Sequence, residues 1–305
     1  MMALIRALLD VIVPVILVAG VGAILGRAFT LDRSTITKVA LNALTPALAL
    51  QTMLTTQVSG RGGMLLALAF VVLTAIAALL GWIGSVGSPG RTRRSAAVAV
   101  AIGNNGNMGL PIGLFALGQQ GLDQSVLIFV LSVIMTFVLA PLLFGAHEGW
   151  RAAIRGMLRL PTLWALALGG GIRLAGIEVP TGIGRGIELL AAATLPMILL
   201  TLGIQLGSTG RVRLTRPVVI SALLRVAVLP TIALPLGYAL GLRETPLQAF
   251  VLSAAMPTAV NAYILASEYD GDVTFVAHTV TVTTVASFLG AAVVTALLPW
   301  IGALG

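Results

Sequence analysis

Four asparagines, two prolines and a threonine carry the polar chemistry that this sequence places in apolar surroundings. Asn104, Asn105 and Asn107 lie in SAAVAVAIGNNGNMGLPIGLFALG, residues 95–118, just ahead of Pro111. Thr258 and Asn261 follow Pro257 in LQAFVLSAAMPTAVNAYILASE, residues 247–268. A carboxamide offers both a donor and an acceptor, so it can hold a cation, a carboxylate or a water. In each stretch an apolar run enters, breaks at these residues and resumes. Neither half reaches the roughly 20 residues that a spanning helix needs. Such a break would leave backbone groups unpaired in lipid, and is tolerated only where protein or a water-filled cavity surrounds it. The two stretches therefore read as discontinuous helices whose middles hold something polar. Half-helices starting near Met108 and Thr258 would aim N-terminal dipoles and free N–H groups at one centre, which favours an anionic group there. A plainer reading is that the prolines only kink two structural helices, with the asparagines re-pairing the freed backbone. The site reading is preferred for Asn107 and Asn261, while for Asn104 and Asn105 the two stand level.

The surroundings are those of a polytopic helical membrane protein. Of 305 residues, 58% are hydrophobic and 9% charged, and the mean hydropathy is +1.06. No soluble domain has so little polar covering. The 35 glycines and 14 prolines suit helices that pack closely in lipid. The lack of cysteine excludes disulfides, thiolate catalysis and Cys-based metal sites. A net charge of +8 does not point to nucleic acid, because no basic stretch is interleaved with aromatics and the arginines sit between hydrophobic segments. No GxxxxGK(S/T), HExxH or GxSxG motif occurs, so ATP hydrolysis and the familiar intramembrane hydrolase chemistries lack their residues. No enzyme activity, cofactor or metal site is expected. The start, MMALIRALLDVIVPVILVAGVGA, resembles a signal peptide, but its apolar run continues through Leu25, and it is expected to be the first membrane helix.

Ten apolar segments would position the polar residues: roughly 10–28, 36–56, 64–84, 95–118, 123–145, 161–177, 186–207, 217–240, 246–268 and 273–300, with the fourth and ninth broken. The widest hydrophilic break, His147–Arg159, falls almost at the midpoint. The expectation is an all-α fold of two five-helix repeats, 1–150 and 151–305, in one integrated membrane domain. LTPALAL at Pro46 in the second segment is echoed by ATLPMILL at Pro196 in the seventh. Five spans per half is odd, so the second repeat must be inverted, the plan of many secondary transporters, whose midplane sites lie at paired interrupted segments. Charge counting agrees. Arg27, Arg33, Lys38, Arg91, Arg93, Arg94, Arg151, Arg155, Arg159, Arg211, Arg213 and Arg216 fall on one side, against Arg6, Arg61, Arg173, Arg185 and Arg243 on the other. The richer side should be cytoplasmic, with both termini extracytoplasmic.

Other residues carry weaker signals. Asp10, Glu188, Glu268, Asp270 and Asp272 fall at segment ends, whereas proton-coupled carriers usually keep an acid inside the membrane. His278 could titrate, although a lone histidine there is more often a packing residue. Arg225 lies about nine residues into the eighth segment, deep for a charge that costs several kcal/mol unless paired or wet. It could meet a substrate carboxylate, but snorkelling towards the surface beside Arg216 is the preferred reading. Thr279, Thr281, Thr283, Thr284, Ser287, Ser132 and Thr136 could line a cavity, although helical Ser and Thr in membranes mostly bond their own backbone. Gly22-x-x-x-Gly26 fits a close helix contact, within the chain by default and between protomers as the alternative.

GNNGNMGLP at 103–111, AAMPTAVNAYILASEYDGD at 254–272, LNALTPALAL at 41–50 and LPMILLTLGIQLG at 195–207 resemble the auxin efflux carrier family of bacterial and plant membrane carriers, related in fold to bile acid:sodium symporters. The resemblance runs over nearly the whole chain and is most specific at 254–272. It implies ten helices in two inverted five-helix repeats, with helices 4 and 9 crossing at their proline-marked centres. It further implies a scaffold of helices 1, 2, 6 and 7 that forms a homodimer, and a transport unit of helices 3–5 and 8–10 that moves like an elevator. The family's crossover prolines match Pro111 and Pro257, and its crossover asparagines match Asn107 or Asn104, and Asn261. Family substrates are organic anions, auxin in plants and dicarboxylates in some bacterial members. The long central hydrophilic loop of many plant carriers is missing, so a bacterial type is expected.

The reading is a plasma-membrane secondary carrier that exports or exchanges small organic carboxylates by alternating access, with Asn104, Asn105, Asn107, Pro111, Pro257, Thr258 and Asn261 at the substrate site. The alternatives are a sodium-coupled organic-anion importer of the bile acid type and a non-transporting membrane sensor.

Overall fold

A proline inside a helix has no N–H to give, and its ring crowds the carbonyl four residues back. The computed structural model describes residues 2–56, 60–144, 149–207 and 212–304; His147 and Arg211 lie outside them. Within the described residues four prolines are accommodated in one way. Wide π turns at Leu8–Ile12, Ala40–Leu44, Asn105–Gly109 and Leu224–Val228 each end two residues before a proline: Pro14, Pro46, Pro111 and Pro230. Opening one turn to i→i+5 spacing makes room for the ring without ending the helix. In the second of these turns the Thr45 hydroxyl donates to the Ala40 carbonyl at 2.8 Å.

The described chain is helical almost throughout. Helix α1 spans Met2–Ala28 and α2 residues 33–55. They are followed by α3 Gly60–Gly84, α4 Gly90–Ala101, α5 Asn105–Phe144, α6 Gly149–Leu158, α7 Pro161–Leu174 and α8 Thr181–Leu206. The last four are α9 Arg216–Ala239, α10 Glu244–Ala254, α11 Asn261–Glu268 and α12 Val273–Gly302. Six of these, α1, α3, α5, α8, α9 and α12, are long and apolar enough to cross a membrane. Helix α5 bends sharply at Gly118, whose φ of 65° is a left-handed conformation that glycine adopts without strain. The bend falls where the sequence separates the fourth segment from the fifth. At the start of α2, the Thr35 hydroxyl and the Ser34 amide bond the exposed Asp32 carboxylate and hold it below its usual pKa. The hydrophilic break near the midpoint contains α6, in which apolar and basic residues alternate at helical spacing.

The chain forms two compact units, each drawn from both halves of the sequence. One comprises Met1–Val13, Val58–Ala153 and Gly210–Gly305, and the other Pro14–Gln57 and Ile154–Thr209.

In the second unit the helices meet backbone to backbone through glycines. A Cβ on Gly22 would stand 2.2 Å from the Leu200 oxygen, and one on Gly203 would stand 1.8 Å from the Ala19 oxygen. The Gly22-x-x-x-Gly26 stripe therefore packs within the chain, against α8. Helices α2 and α8 are tied by the Thr194 hydroxyl, which donates to the Leu44 carbonyl at 2.9 Å. Gly203→Leu should force α1 and α8 apart and lower the melting temperature by about 5–10 °C. Gly170→Ala, with nothing within 4 Å of its Cβ, is the control. A Gly203→Leu melt within a degree or two of the parent would mean that these backbones do not touch.

In the first unit α4 runs through the interior. Every residue from Ser95 to Ala101 is buried, and a helix apolar all round belongs in a core. Its alanines keep it thin, and a Cβ on Gly81 of α3 would lie 2.5 Å from the Ala96 oxygen. The entrance of α4 is anchored to the turn before α12. Asp272 caps α12 by accepting from the Phe275 amide at 3.0 Å, and it also accepts from the Thr92 hydroxyl at 2.7 Å. The Asp272 amide donates to the Ser95 hydroxyl at 2.8 Å, and Arg91 pairs with Asp270.

Candidate functional site

In the first unit, helices α4 and α10 each run apolar to a break and stop. Beyond both ends the backbone is extended, and the two extended pieces pair as an antiparallel bridge, Gly103 opposite Thr258. The Asn104 amide donates to the Pro257 carbonyl at 2.7 Å, and the Ala259 amide donates to the Ile102 carbonyl at 2.9 Å. Two helix C-termini buried at this depth would leave carbonyls bare, each at a cost of about 1–3 kcal/mol. Side chains take up that need. The buried Thr258 hydroxyl donates to the Ala99 carbonyl at 2.8 Å, while the Thr258 amide donates to the Thr283 hydroxyl of α12 at 3.1 Å.

Arg225 completes the pairing. It sits in the π turn of α9, is 4% exposed, and donates from Nε to the Met256 carbonyl at 2.7 Å and from one terminal nitrogen to the Val100 carbonyl at 3.0 Å. One guanidinium thus bonds both broken segments. It does not snorkel: the sequence marks the depth of the charge, but not the carbonyls waiting there. Gly103 makes the space, since a Cβ at that position would lie 1.9 Å from the other terminal nitrogen of Arg225.

The predicted site residues divide into two groups. Asn104, Pro257 and Thr258 are brought together by the bridge, and their polar groups are taken up in forming it. The Asn104 side chain accepts from the Asn107 amide at 3.2 Å, and its carbonyl accepts from the amides of Met108 and Gly109 at 3.3 and 3.1 Å. Pro111 is buried in the first turn after the π turn Asn105–Gly109. Asn105 is buried, and its side-chain oxygen has no hydrogen-bond partner among the described residues. It borders two small cavities, each about the size of one water. Ser253 lines both, joined by Ser125 in one and by Thr74 and Arg225 in the other.

Asn107 and Asn261 stand apart from this network. Each opens the second arm of its broken segment. Asn107 is half-buried and Asn261 exposed, and neither side chain has a hydrogen-bond partner among the described residues. The amides of Val260 and Asn261 also meet no acceptor among the described residues. This is the electropositive, unsatisfied end of α11, with a free carboxamide beside it. Such a surface can receive a carboxylate.

The hydroxyls Thr279, Thr284, Ser287, Ser132 and Thr136 bond carbonyls of their own helices, as membrane helices commonly allow. Thr283 does so too, and in addition accepts from Thr258. His278 is half-buried near the start of α12. Asp123 is a buried acid of α5 that the sequence does not single out. It is 7% exposed and accepts from the Gln119 side chain at 3.1 Å. Its position four residues after Gln119, just beyond the Gly118 bend, is the signal that could have found it.

Residues 7–295 match the family described as membrane transport protein. An uncharacterized transporter of Methanothermobacter thermautotrophicus is 29% identical over 266 residues, which cover 85% of this chain and 86% of that protein. A putative malonate transporter of Rhizobium meliloti is 29% identical over 66% of this chain and 64% of its own length. Auxin efflux carrier component 1 of Arabidopsis thaliana is 31% identical over 96 residues, 31% of this chain and 15% of that protein.

Proposed function

Because the chain belongs to the membrane transport protein family, we propose that it is a secondary carrier that moves small organic carboxylates across the plasma membrane by alternating access. It is a multi-pass transporter and not an enzyme. The observation that carries the substrate class is the free polar group at the crossing: Asn261, the unmet amides of Val260 and Asn261, and Asn107 on the opposing arm. Donors at a helix N-terminus favour an anion. The names of two relatives, a malonate transporter and an auxin efflux carrier, support an organic acid.

In this reading the ten segments are ten membrane helices in two inverted repeats, residues 1–150 and 151–305, with both termini extracytoplasmic. The unit that contains the crossing carries the substrate by an elevator-like motion. The unit built from residues 14–57 and 154–209 is the scaffold, and it pairs with a second copy through helices 1, 2, 6 and 7. The grouping of residues into two units supports this division. Asn104, Asn105, Pro111, Pro257 and Thr258 shape the site, and Asn107 and Asn261 touch the anion.

The test is thermal stability of the purified protein against a panel of mono- and dicarboxylates, since a ligand that binds the folded state raises its melting temperature. One acid should shift the melt in a saturable way and be carried by the protein in liposomes. A panel that gives neither stabilisation nor flux would overturn the reading in favour of a non-transporting role.

A further inference from the structure

We propose that Arg225 is the fixed cation of the crossing, a positioning residue whose guanidinium holds the carbonyl ends of both broken helices. Carriers built from discontinuous helices commonly seat an exchangeable coupling ion on unwound carbonyls and half-helix C-termini. Here those carbonyls, Val100 and Met256, are already bonded to a side chain. The inference rests on the carrier reading and names what that carrier does not need, a sodium ion at its crossing.

The charges agree with the geometry. Each helix C-terminus carries roughly half a negative charge, so two converging ends call for about one positive charge. One guanidinium supplies it. Its planar fork can address two carbonyls from two directions, which a point-like ammonium does less well. No carboxylate pairs with Arg225 among the described residues, where the one ion pair joins Arg91 and Asp270. The charge is balanced by dipoles and carbonyls alone, at a site 4% exposed. Gly103 keeps the space open, since any side chain there would collide with the guanidinium. Once the two negative ends are matched, the positive ends near Asn107 and Asn261 remain. A single negative charge then completes the crossing, so the occupant binds as a carboxylate anion without a co-bound metal cation.

The experiment compares the full chain with Arg225→Lys, Arg225→Met and Arg225→Ala, by melting temperature in sodium, potassium and choline chloride, with and without millimolar guanidinium chloride. The unsubstituted protein should melt at one temperature in all three salts. Arg225→Met should melt about 5–10 °C lower, with Arg225→Lys losing less than half as much. Guanidinium, and not sodium, should restore stability to Arg225→Ala. Saturable stabilisation of the unsubstituted protein by sodium would overturn the proposal. So would equal melts of the Lys and Met variants, or an Ala variant indifferent to guanidinium. If Met and Ala fail to accumulate as folded protein, the salt comparison and the Lys variant decide alone. None of these readouts uses a carboxylate. A failed carboxylate panel therefore counts against the carrier reading, and a failed cation test counts against Arg225.

Discussion

Alanine at position 103 will cost the protein its crossing. The added Cβ would stand 1.9 Å from a terminal nitrogen of Arg225 and 2.9 Å from its central carbon, and both neighbouring backbones are pinned. Relief can come in two ways. If the guanidinium withdraws, the Val100 and Met256 carbonyls lose their donor. If the bridge opens instead, the Asn104 and Ala259 amides are freed from Pro257 and Ile102. The first route leaves two buried backbone groups unpaired and the second leaves four, so the smaller loss is already about 2–6 kcal/mol by the usual cost of such groups. That is a large share of the roughly 5–15 kcal/mol that holds a folded protein together. Gly103→Ala should therefore either fail to accumulate as monodisperse protein or melt more than about 10 °C below the parent, as read by size-exclusion chromatography and a thermal melt. A melt within about 2 °C would mean that Arg225 is not held where the crossing places it. Backbone strain plays no part, since Gly103 is not among the glycines with positive φ.

Asn261→Ala should do the opposite: the fold survives and transport is lost. Asn261 is exposed, and its side chain bonds nothing among the described residues, so its truncation should change stability by no more than about 0.5 kcal/mol. A hydrogen bond to a charged ligand contributes about 1.5–3 kcal/mol, so affinity for the carboxylate, and with it flux at low substrate, should fall roughly 10- to 100-fold. The comparison is Thr258→Val, only three residues away. It strips the donor from the Ala99 carbonyl and should lower the melting temperature as well. Substrate-induced melting shifts and liposome uptake would measure both. If Asn261→Ala retains its apparent affinity, the anion is held elsewhere.

The two broken segments differ in how much of them residue type reveals. The breaks themselves are legible, because glycine, carboxamide and proline clustered inside an apolar run interrupt a helix wherever they fall. Which carboxamide is free is not legible. Asn104 and Asn107 have the same side chain three positions apart, yet one is used up in capping the other's amide. That distinction lies in the local turn that brings the Asn104 side-chain oxygen to the Asn107 amide, which residue type does not mark. Arg225 is harder still. Hydropathy registers its depth and suggests escape to the surface, but its partners are backbone carbonyls from segments 125 and 31 residues distant, and carbonyls leave no mark in residue type. The π turns lie between these cases, since their prolines are visible and the accommodation follows from the missing N–H. The symmetry of halves expected from the sequence, 1–150 and 151–305, likewise says nothing of how the chain sorts into packed units, which draw on both halves.

That sorting bears on how the protein is made. The chain enters the Pro14–Gln57 unit, leaves it, returns at Ile154 and leaves for good at Thr209, so this unit has all its residues while about a third of the protein is still to be synthesised. The other unit waits for the end. When α4 leaves the ribosome, the partners of its terminal carbonyls, Thr258 and Arg225, do not yet exist. A nascent membrane segment with Asn104, Asn105 and Asn107 at its tip must therefore be sheltered, by the insertion machinery or by water, for more than a hundred residues of further elongation. Closing the crossing therefore waits until residues 256–258 have been made.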